Sequence, residues 1–331
     1  MEKIDFVVAW VDGNDPAWQA EKRKYSPSSN EDQSNLRYRD WDTLRYWFRG
    51  VEQYAPWVNK VHLLTWGHVP QWLNTECPKL HVVNHKDFIP AQYLPTFSSH
   101  PIELNMHRIP GLSQKFVYLN DDFFLTSPVK PEDFFRNGLP CDSLEENPIR
   151  LQHRTIMVNI NCNDILYLNK YFRKMDSRKQ NFLKWYSLRT PKVALKNLLL
   201  TPVSSWSFFG LNHHHLPQAY LKSTLEAVWE QEPQWLSETC SHRFRDPGDV
   251  SQCVFKFYQL AKGLFVPYNK RKYGYWIKGG RDIDGAVNAI VQKSFKFICY
   301  NDSDKVDFVS AKERLHQAFE TALPQASSFE K

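Results

Sequence analysis

One short run constrains this chain more than any other. Phe116-Val117-Tyr118-Leu119 is apolar and of strand length, and it stops abruptly at Asn120-Asp121-Asp122. Residues 4–11 form a second such run, ended by the turn-rich Asp12-Gly13-Asn14-Asp15-Pro16. Residues 61–66 and Leu80–Asn84 add two more. Continuous apolar runs, rather than alternating ones, are what strands buried on both faces require. Between them the period changes to that of a helix: after Asp40, a cap candidate, Trp41, Leu44, Phe48 and Val51 recur on one face. A shorter helical segment is expected near residues 69–73. Alternating strands and helices favour an α/β fold with a mostly parallel sheet.

The second half reads as more helical. Ser223-Thr224-Leu225-Glu226 has a capping-box pattern and opens a helix that must stop before Pro233. Asp249 is placed to cap another, with Val250, Val254, Phe257 and Leu260 facing inward, and Ser310-Ala311-Lys312-Glu313 to start a closing helix. The expected organisation is an α/β half over residues 1–150 and a basic, largely helical half over 151–331 that together make one catalytic unit.

Charge divides along the same line. Residues 1–150 carry 16 basic and 20 acidic side chains, and residues 151–331 carry 26 and 16, so a net charge of +6 splits into −4 and +10. Such a division suits a site whose first half holds a cation and whose second half holds phosphate. It is also compatible with nucleic-acid binding, but no nucleic-acid motif is present. Neither GxGxxG nor GxxxxGK[ST] occurs, which leaves dinucleotide and P-loop readings without their key residues. Six scattered Cys without a CxxC pair argue against zinc and for free thiols. With no apolar run of ~18 residues and no signal-peptide pattern at the start, a cytoplasmic location is expected. Residues 170–196 hold nine cations and one acid, interleaved with aromatics. This is either a surface for an anionic polymer or the inner membrane face, or a solvated insertion packed on the core.

At the end of a strand in an α/β sheet, where ligands collect, two adjacent Asp repel each other unless a cation or proton lies between them. Asp121 and Asp122 are therefore the first candidates for holding Mg²⁺ or Mn²⁺ against a diphosphate. Around them, Trp10-Val11-Asp12-Gly13, the stretch 37–130, the stretch 215–249 and Phe297-Ile298-Cys299-Tyr300-Asn301-Asp302 follow one another in a familiar order. The chain resembles the Stealth family of capsular sugar-phosphate transferases, whose core is shared by the animal N-acetylglucosamine-1-phosphotransferase.

The resemblance implies a GT-A-like, nucleotide-sugar-transferase core. It also implies transfer of a sugar 1-phosphate from a UDP-sugar to a hydroxyl of a polysaccharide or lipid-linked glycan, with release of UMP. By that resemblance Asp122, His215, Arg245 and Glu103 are catalytic, with Asp122 either a metal ligand or the acceptor of the hydroxyl proton. Within His213-His214-His215-Leu216-Pro217 the family's His-x-Pro selects His215, and an imidazole can take a proton at neutral pH. Arg245 offers a planar fork for phosphate, with Arg243 its competitor. Trp10, Asp12, Gly13, Arg108 and Arg243 are expected at the substrate. One of Arg37, Arg39 and Arg45 is expected at the diphosphate, and Asn301-Asp302 as a second contact to the metal, with Asp302 the ligand. Two rivals stand beside this reading. A metal-dependent glycosyltransferase would release UDP, and a non-catalytic polysaccharide-binding protein would need neither Asp121-Asp122 nor His215.

Overall fold

The computed structural model describes residues 2–26, 38–151, 155–277, 282–303 and 306–331. In chain order the first half gives strand β1 (Ile4–Ala9), helices α1 (Pro16–Tyr25) and α2 (Leu44–Tyr54), strands β2 (Val61–Thr65) and β3 (Leu80–Asn84), helix α3 (Ser99–Leu104), and strands β4 (Lys115–Asn120), β5 (Phe123–Leu125), β6 (Phe135–Arg136) and β7 (Leu139–Asp142). The second half begins with helices α4 (Ile156–Tyr171), α5 (Lys174–Gln180), α6 (Phe182–Trp185) and α7 (Pro191–Leu200). It continues with β8 (Gln218–Leu221), α8 (Lys222–Gln231), α9 (Pro233–Ser241), α10 (Cys253–Lys262), β9 (Val266–Pro267), β10 (Gly274–Ile277), α11 (Ile283–Val291), β11 (Phe297–Tyr300) and α12 (Phe308–Ala322).

The main sheet has the order β3-β2-β1-β4-β8. Its first four strands are parallel, and β8 runs antiparallel on β4. Both faces are covered, as the continuous apolar runs require. Phe6, Val8, Leu63, Val117 and Leu119 point into one cluster with α2 and α12. Val7, Leu64, Val83, Phe116 and Tyr118 point into the other with α8 and α10. A second sheet, β10-β11-β5, stands beside it. The expected α/β class is thus present, and β8 makes the two halves of the chain share one sheet.

Local expectations fared unevenly. The segment at residues 69–73 is turn and bridge, not helix. Asp40 does not cap α2; its carboxylate takes the Asp42 N–H, and Thr43 stands at the cap. The Ser223–Glu226 capping box does not form, because α8 starts earlier, at Lys222 off β8. The last helix is capped by Asp307, which accepts from the Ser310 N–H, rather than by Ser310. The polar stretch 25–33 reads from sequence as a surface loop; its residues 27–33, and Arg37, lie outside the described residues.

Candidate active site

The chain runs outward from β1 through β2 to β3, then returns to place β4 on the other side of β1. At such a switch point the loops after the two central strands part and leave a crevice. Those loops are Trp10–Asp15 after β1 and Asp121-Asp122 after β4.

Register brings distant residues there. Tyr118 pairs with Gln218 in the antiparallel β4–β8 ladder, so continuing the count sets His215 level with Asp121. On the other side Cys299 pairs with Phe123 in the β5–β11 ladder, which sets Asn301 level with Asp121 as well. The Tyr300 N–H donates to the Asp122 carbonyl at 3.1 Å, closing the corner between the sheets.

The side chains then meet. Asn301 Nδ2 donates to Asp122 Oδ2 at 2.5 Å and lies 3.3 Å from His215 Nε2. The Cys299 thiol is 3.5 Å from the same carboxylate oxygen, and His215 Nε2 is 4.0 Å from it. Trp276 Nε1, which can only donate, gives its hydrogen to Asn301 Oδ1 at 2.5 Å. That bond fixes the amide so that its NH₂ faces both Asp122 and His215. His215 Nε2 then accepts from that NH₂, with Asp122 alongside, while its ring packs edge-on to Phe123 and against Trp276.

Crowding by the protein, followed by the neighbouring Asp121 charge, pushes the Asp122 carboxyl up to about 8. Crowding and then Asp40 push Asp121 up to about 6. Among the described residues, Asp122 Oδ1 has no hydrogen-bond partner. Two adjacent carboxylates that resist ionisation, one with a bare oxygen, form a hard-oxygen donor set suited to Mg²⁺ or Mn²⁺. Asp122, His215 and Cys299 also converge closely enough to share an ion.

Beside Asp121 opens a cleft of about 410 Å³ walled by Trp10, Asp12, Asp15, Asp40, Asp42, His68 and Trp72. The Asp12 N–H donates to His68 Nε2 at 2.8 Å, and Trp10 packs on the same ring at 5.4 Å. Gly13 is obligatory here: a Cβ would lie 1.9 Å from the Tyr38 carbonyl oxygen.

Glu103 and Arg245 form a second group on the other face of β4. Arg245 Nη2 donates to Ser99 Oγ at 3.1 Å, at the start of α3. Glu103 is buried and accepts from the Tyr118 hydroxyl at 3.2 Å. Burial raises the Glu103 carboxyl, against the pull of His100 and Arg245. Tyr118 feels Glu103, Asp121 and Asp122 together, so it lies between the two groups. Asp249, expected to cap α10, is instead buried between His100 Nδ1 at 3.2 Å and His242 Nδ1 at 2.7 Å.

Other expected site residues are engaged elsewhere. Asp302 is gripped by both arms of Arg39, through Nε at 2.7 Å and through Nη2, so its carboxylate is already paired with a cation. Arg39 is thereby occupied too, and Arg45 pairs with Glu330 at 3.4 Å. Arg108 lies over Trp229 and is held by Asn105. It precedes β4, at the strand end opposite Asp121. Arg243 gives Nη1 to the Pro95 carbonyl at 2.7 Å and stacks on Tyr25. Among the three histidines, His213 turns to Cys253 and His214 to Ser143, leaving His215 at Asp122. Trp276 and His68 have no signal in the sequence, Cys299 appears there only within the block 297–302, and Asn301, read with Asp302 as a second metal contact, instead hydrogen-bonds Asp122 and His215.

Known proteins resemble the chain along its whole length. Residues 2–30 match the family model for Stealth protein CR1, conserved region 1, and residues 37–141 match that for Stealth protein CR2, conserved region 2. The capsular polysaccharide phosphotransferase WcwK of Streptococcus pneumoniae is 39% identical over 336 residues, spanning 100% of this chain and 99% of its own. The receptor polysaccharide phosphotransferase WefC of Streptococcus oralis is 41% identical over 347 residues, with 100% of both chains covered. The exopolysaccharide phosphotransferase cps2G of Lactiplantibacillus plantarum is 35% identical over 99% of this chain and 96% of its own. Among solved structures, the galactosyltransferase LgtC in complex with donor and acceptor sugar analogues aligns over 98% of each chain, with a TM-score of 0.42 and 9% identity.

Proposed function

Since this chain belongs to the Stealth family, we propose that it is a polysaccharide phosphotransferase that moves a sugar 1-phosphate from a UDP-sugar onto a hydroxyl of a growing capsular glycan, polymeric or lipid-linked. The observation that carries the reading is the Trp276–Asn301 hydrogen bond, which presents His215 Nε2 as an acceptor beside Asp122 at the sheet's switch point. The acceptor oxygen bonds to the sugar-proximal phosphorus, and its proton passes to His215 Nε2. The bond from that phosphorus to the bridging oxygen breaks, and UMP leaves with the bonding electrons.

Alignment and neutralisation do most of the work in such a transfer. Asp121 and Asp122 would hold Mg²⁺ or Mn²⁺, which when bound neutralises the diphosphate. Asp302 is not part of that set, since Arg39 occupies it. The cleft lined by Trp10 and Trp72 offers flat faces for the base, and its carboxylates suit ribose hydroxyls better than phosphate. Arg245, on Ser99, supplies a fork for phosphoryl oxygens. Glu103 supports the end of β4 through Tyr118 and acts as a positioning residue.

The test is to incubate purified protein with UDP-sugars, Mg²⁺ or Mn²⁺ and capsule oligosaccharides, and to identify the nucleotide released. UMP, abolished in Asp122→Asn and His215→Ala, is the expected result. UDP would mean attack at the anomeric carbon and an ordinary glycosyltransferase. Glycan binding that persists without release of any nucleotide would favour a binding protein.

A further inference from the structure

The helix α7 is built inside out. Its one buried side chain is Asn197, whose Nδ2 donates to the Leu144 carbonyl at 2.8 Å and the Trp185 carbonyl at 3.1 Å, and whose Oδ1 accepts from the Glu146 N–H. Lys196 adds an ion pair to Glu145. The leucines point away: Leu195, Leu198 and Leu199 are 58%, 58% and 68% exposed, at the i, i+3, i+4 spacing of one helix stripe. A helix facing only water carries the reverse pattern.

The neighbourhood extends the patch. Phe182, Leu183, Leu188, Val203 and Trp206 are also exposed. Among the described residues, over half of the exposed large apolar side chains fall within residues 182–206, so the patch is a feature of this lobe and not of the surface at large. An apolar surface of that kind marks an interaction face.

Charge says what covers it. No Asp or Glu occurs between Asp176 and Glu226, and Lys179, Arg189 and Lys192 are exposed with no carboxylate partner among the described residues. Two copies meeting through this face would oppose cation to cation. An anionic lipid surface instead accepts leucines below its headgroups and satisfies the cations at them, with Trp206 at the boundary where indoles settle. We propose that the face formed by α6, α7 and the loop to Trp206 docks this protein on an anionic bilayer. The docking is independent of the catalytic reading and stands or falls without it.

Flotation tests it, with vesicles of equal parts phosphatidylglycerol and phosphatidylcholine against vesicles of phosphatidylcholine alone. The protein is expected to float with the anionic vesicles at low salt and to be released by high salt. Leu195→Ser/Leu198→Ser/Leu199→Ser should weaken partitioning by on the order of tenfold or more, and Arg189→Gln/Lys192→Gln should lose the preference for phosphatidylglycerol. Hydrogen exchange on the unmutated protein guards against a misfolded variant: anionic vesicles should protect residues 182–206. Protection confined elsewhere, no flotation with either vesicle, or a leucine variant that floats like the parent overturns the proposal. So does a concentration-dependent dimer that the leucine variant dissolves, which would assign the face to a second copy.

Discussion

Trp276 is expected to matter to catalysis only through Asn301, and a double-mutant cycle can show it. Asn301→Ala removes the donor to Asp122 Oδ2 at 2.5 Å and the contact to His215 at 3.3 Å. A hydrogen bond to a carboxylate contributes about 1.5–3 kcal/mol. Asp122 and His215 are each about a quarter exposed, so water recovers part of it, and a loss of about 2 kcal/mol gives roughly a 30-fold fall in kcat. Trp276→Phe keeps a ring against His215 but deletes the single N–H that orients the amide. The amide still prefers to give its hydrogens to Asp122, so the loss is about 1 kcal/mol, or roughly fivefold.

If Trp276 acts by holding Asn301, the double variant should lose no more than Asn301→Ala alone, roughly 30-fold. Independent effects would multiply to about 150-fold. UMP release under saturating donor and acceptor distinguishes these figures, with melting curves run beside it to show that all three variants fold. A multiplied loss, a Trp276→Phe defect larger than that of Asn301→Ala, or a change confined to KM would refute the orienting role.

Three further outcomes follow from the same geometry. Asp142 is buried against Lys256 at 3.5 Å and Lys270 at 3.3 Å, so Asp142→Asn should leave two buried ammonium groups unpaired and cost about 3–5 kcal/mol in a urea titration. Burial opposes ionisation of Asp142, but the two lysines outweigh it and hold its carboxyl well below the ordinary 3.8. Burial lowers Lys270 to about 8, so the difference between parent and variant should be full between about pH 4 and pH 7 and shrink as the pH falls below 3.8; a difference that instead grows toward acid would contradict the pairing. Asp302→Asn should leave the metal concentration needed for half-maximal activity unchanged, and a rise would reinstate it as a ligand. Gly13→Ala must push the loop after β1 off Tyr38, so thermal melting should show a loss of about 1–3 kcal/mol, and an unshifted melt would mean that the loop yields freely.

The strands were legible because double-sided burial writes itself as unbroken apolar sequence, as in residues 116–119, and the pair at its end needed only the rule about strand termini. The caps were less legible, since a short polar side chain near a helix start has several uses. Asp40 takes the Asp42 N–H, Asp249 sits between two histidines, and Ser310 receives a cap instead of giving one. Asp302 looked like a ligand because charge is visible in sequence, whereas its partner Arg39 lies 263 residues away. Asn301 reads in sequence as a metal contact beside Asp302, and its role as an amide donor emerges only once the β5–β11 register puts it across from Asp121.

The same distinction revises the meaning of the charge split. Cations in the second half were expected to wait for phosphate, yet several neutralise carboxylates of the segment that ends the first half. Lys256 and Lys270 face Asp142, Lys196 and Arg271 face Glu145, and Lys174 is buried against Glu146 at 2.5 Å. Removing either partner of a buried pair strands the other, so these contacts tie the helical lobe to the strand β7 that leads away from the active site. The opposite signs of the two halves therefore report largely on how the lobes are joined. Arg245, on Ser99, is paired with no such carboxylate among the described residues and is the group proposed for substrate phosphate, while the exposed Arg189 and Lys192 lie beside the leucines of α7, where a charged lipid surface would meet them.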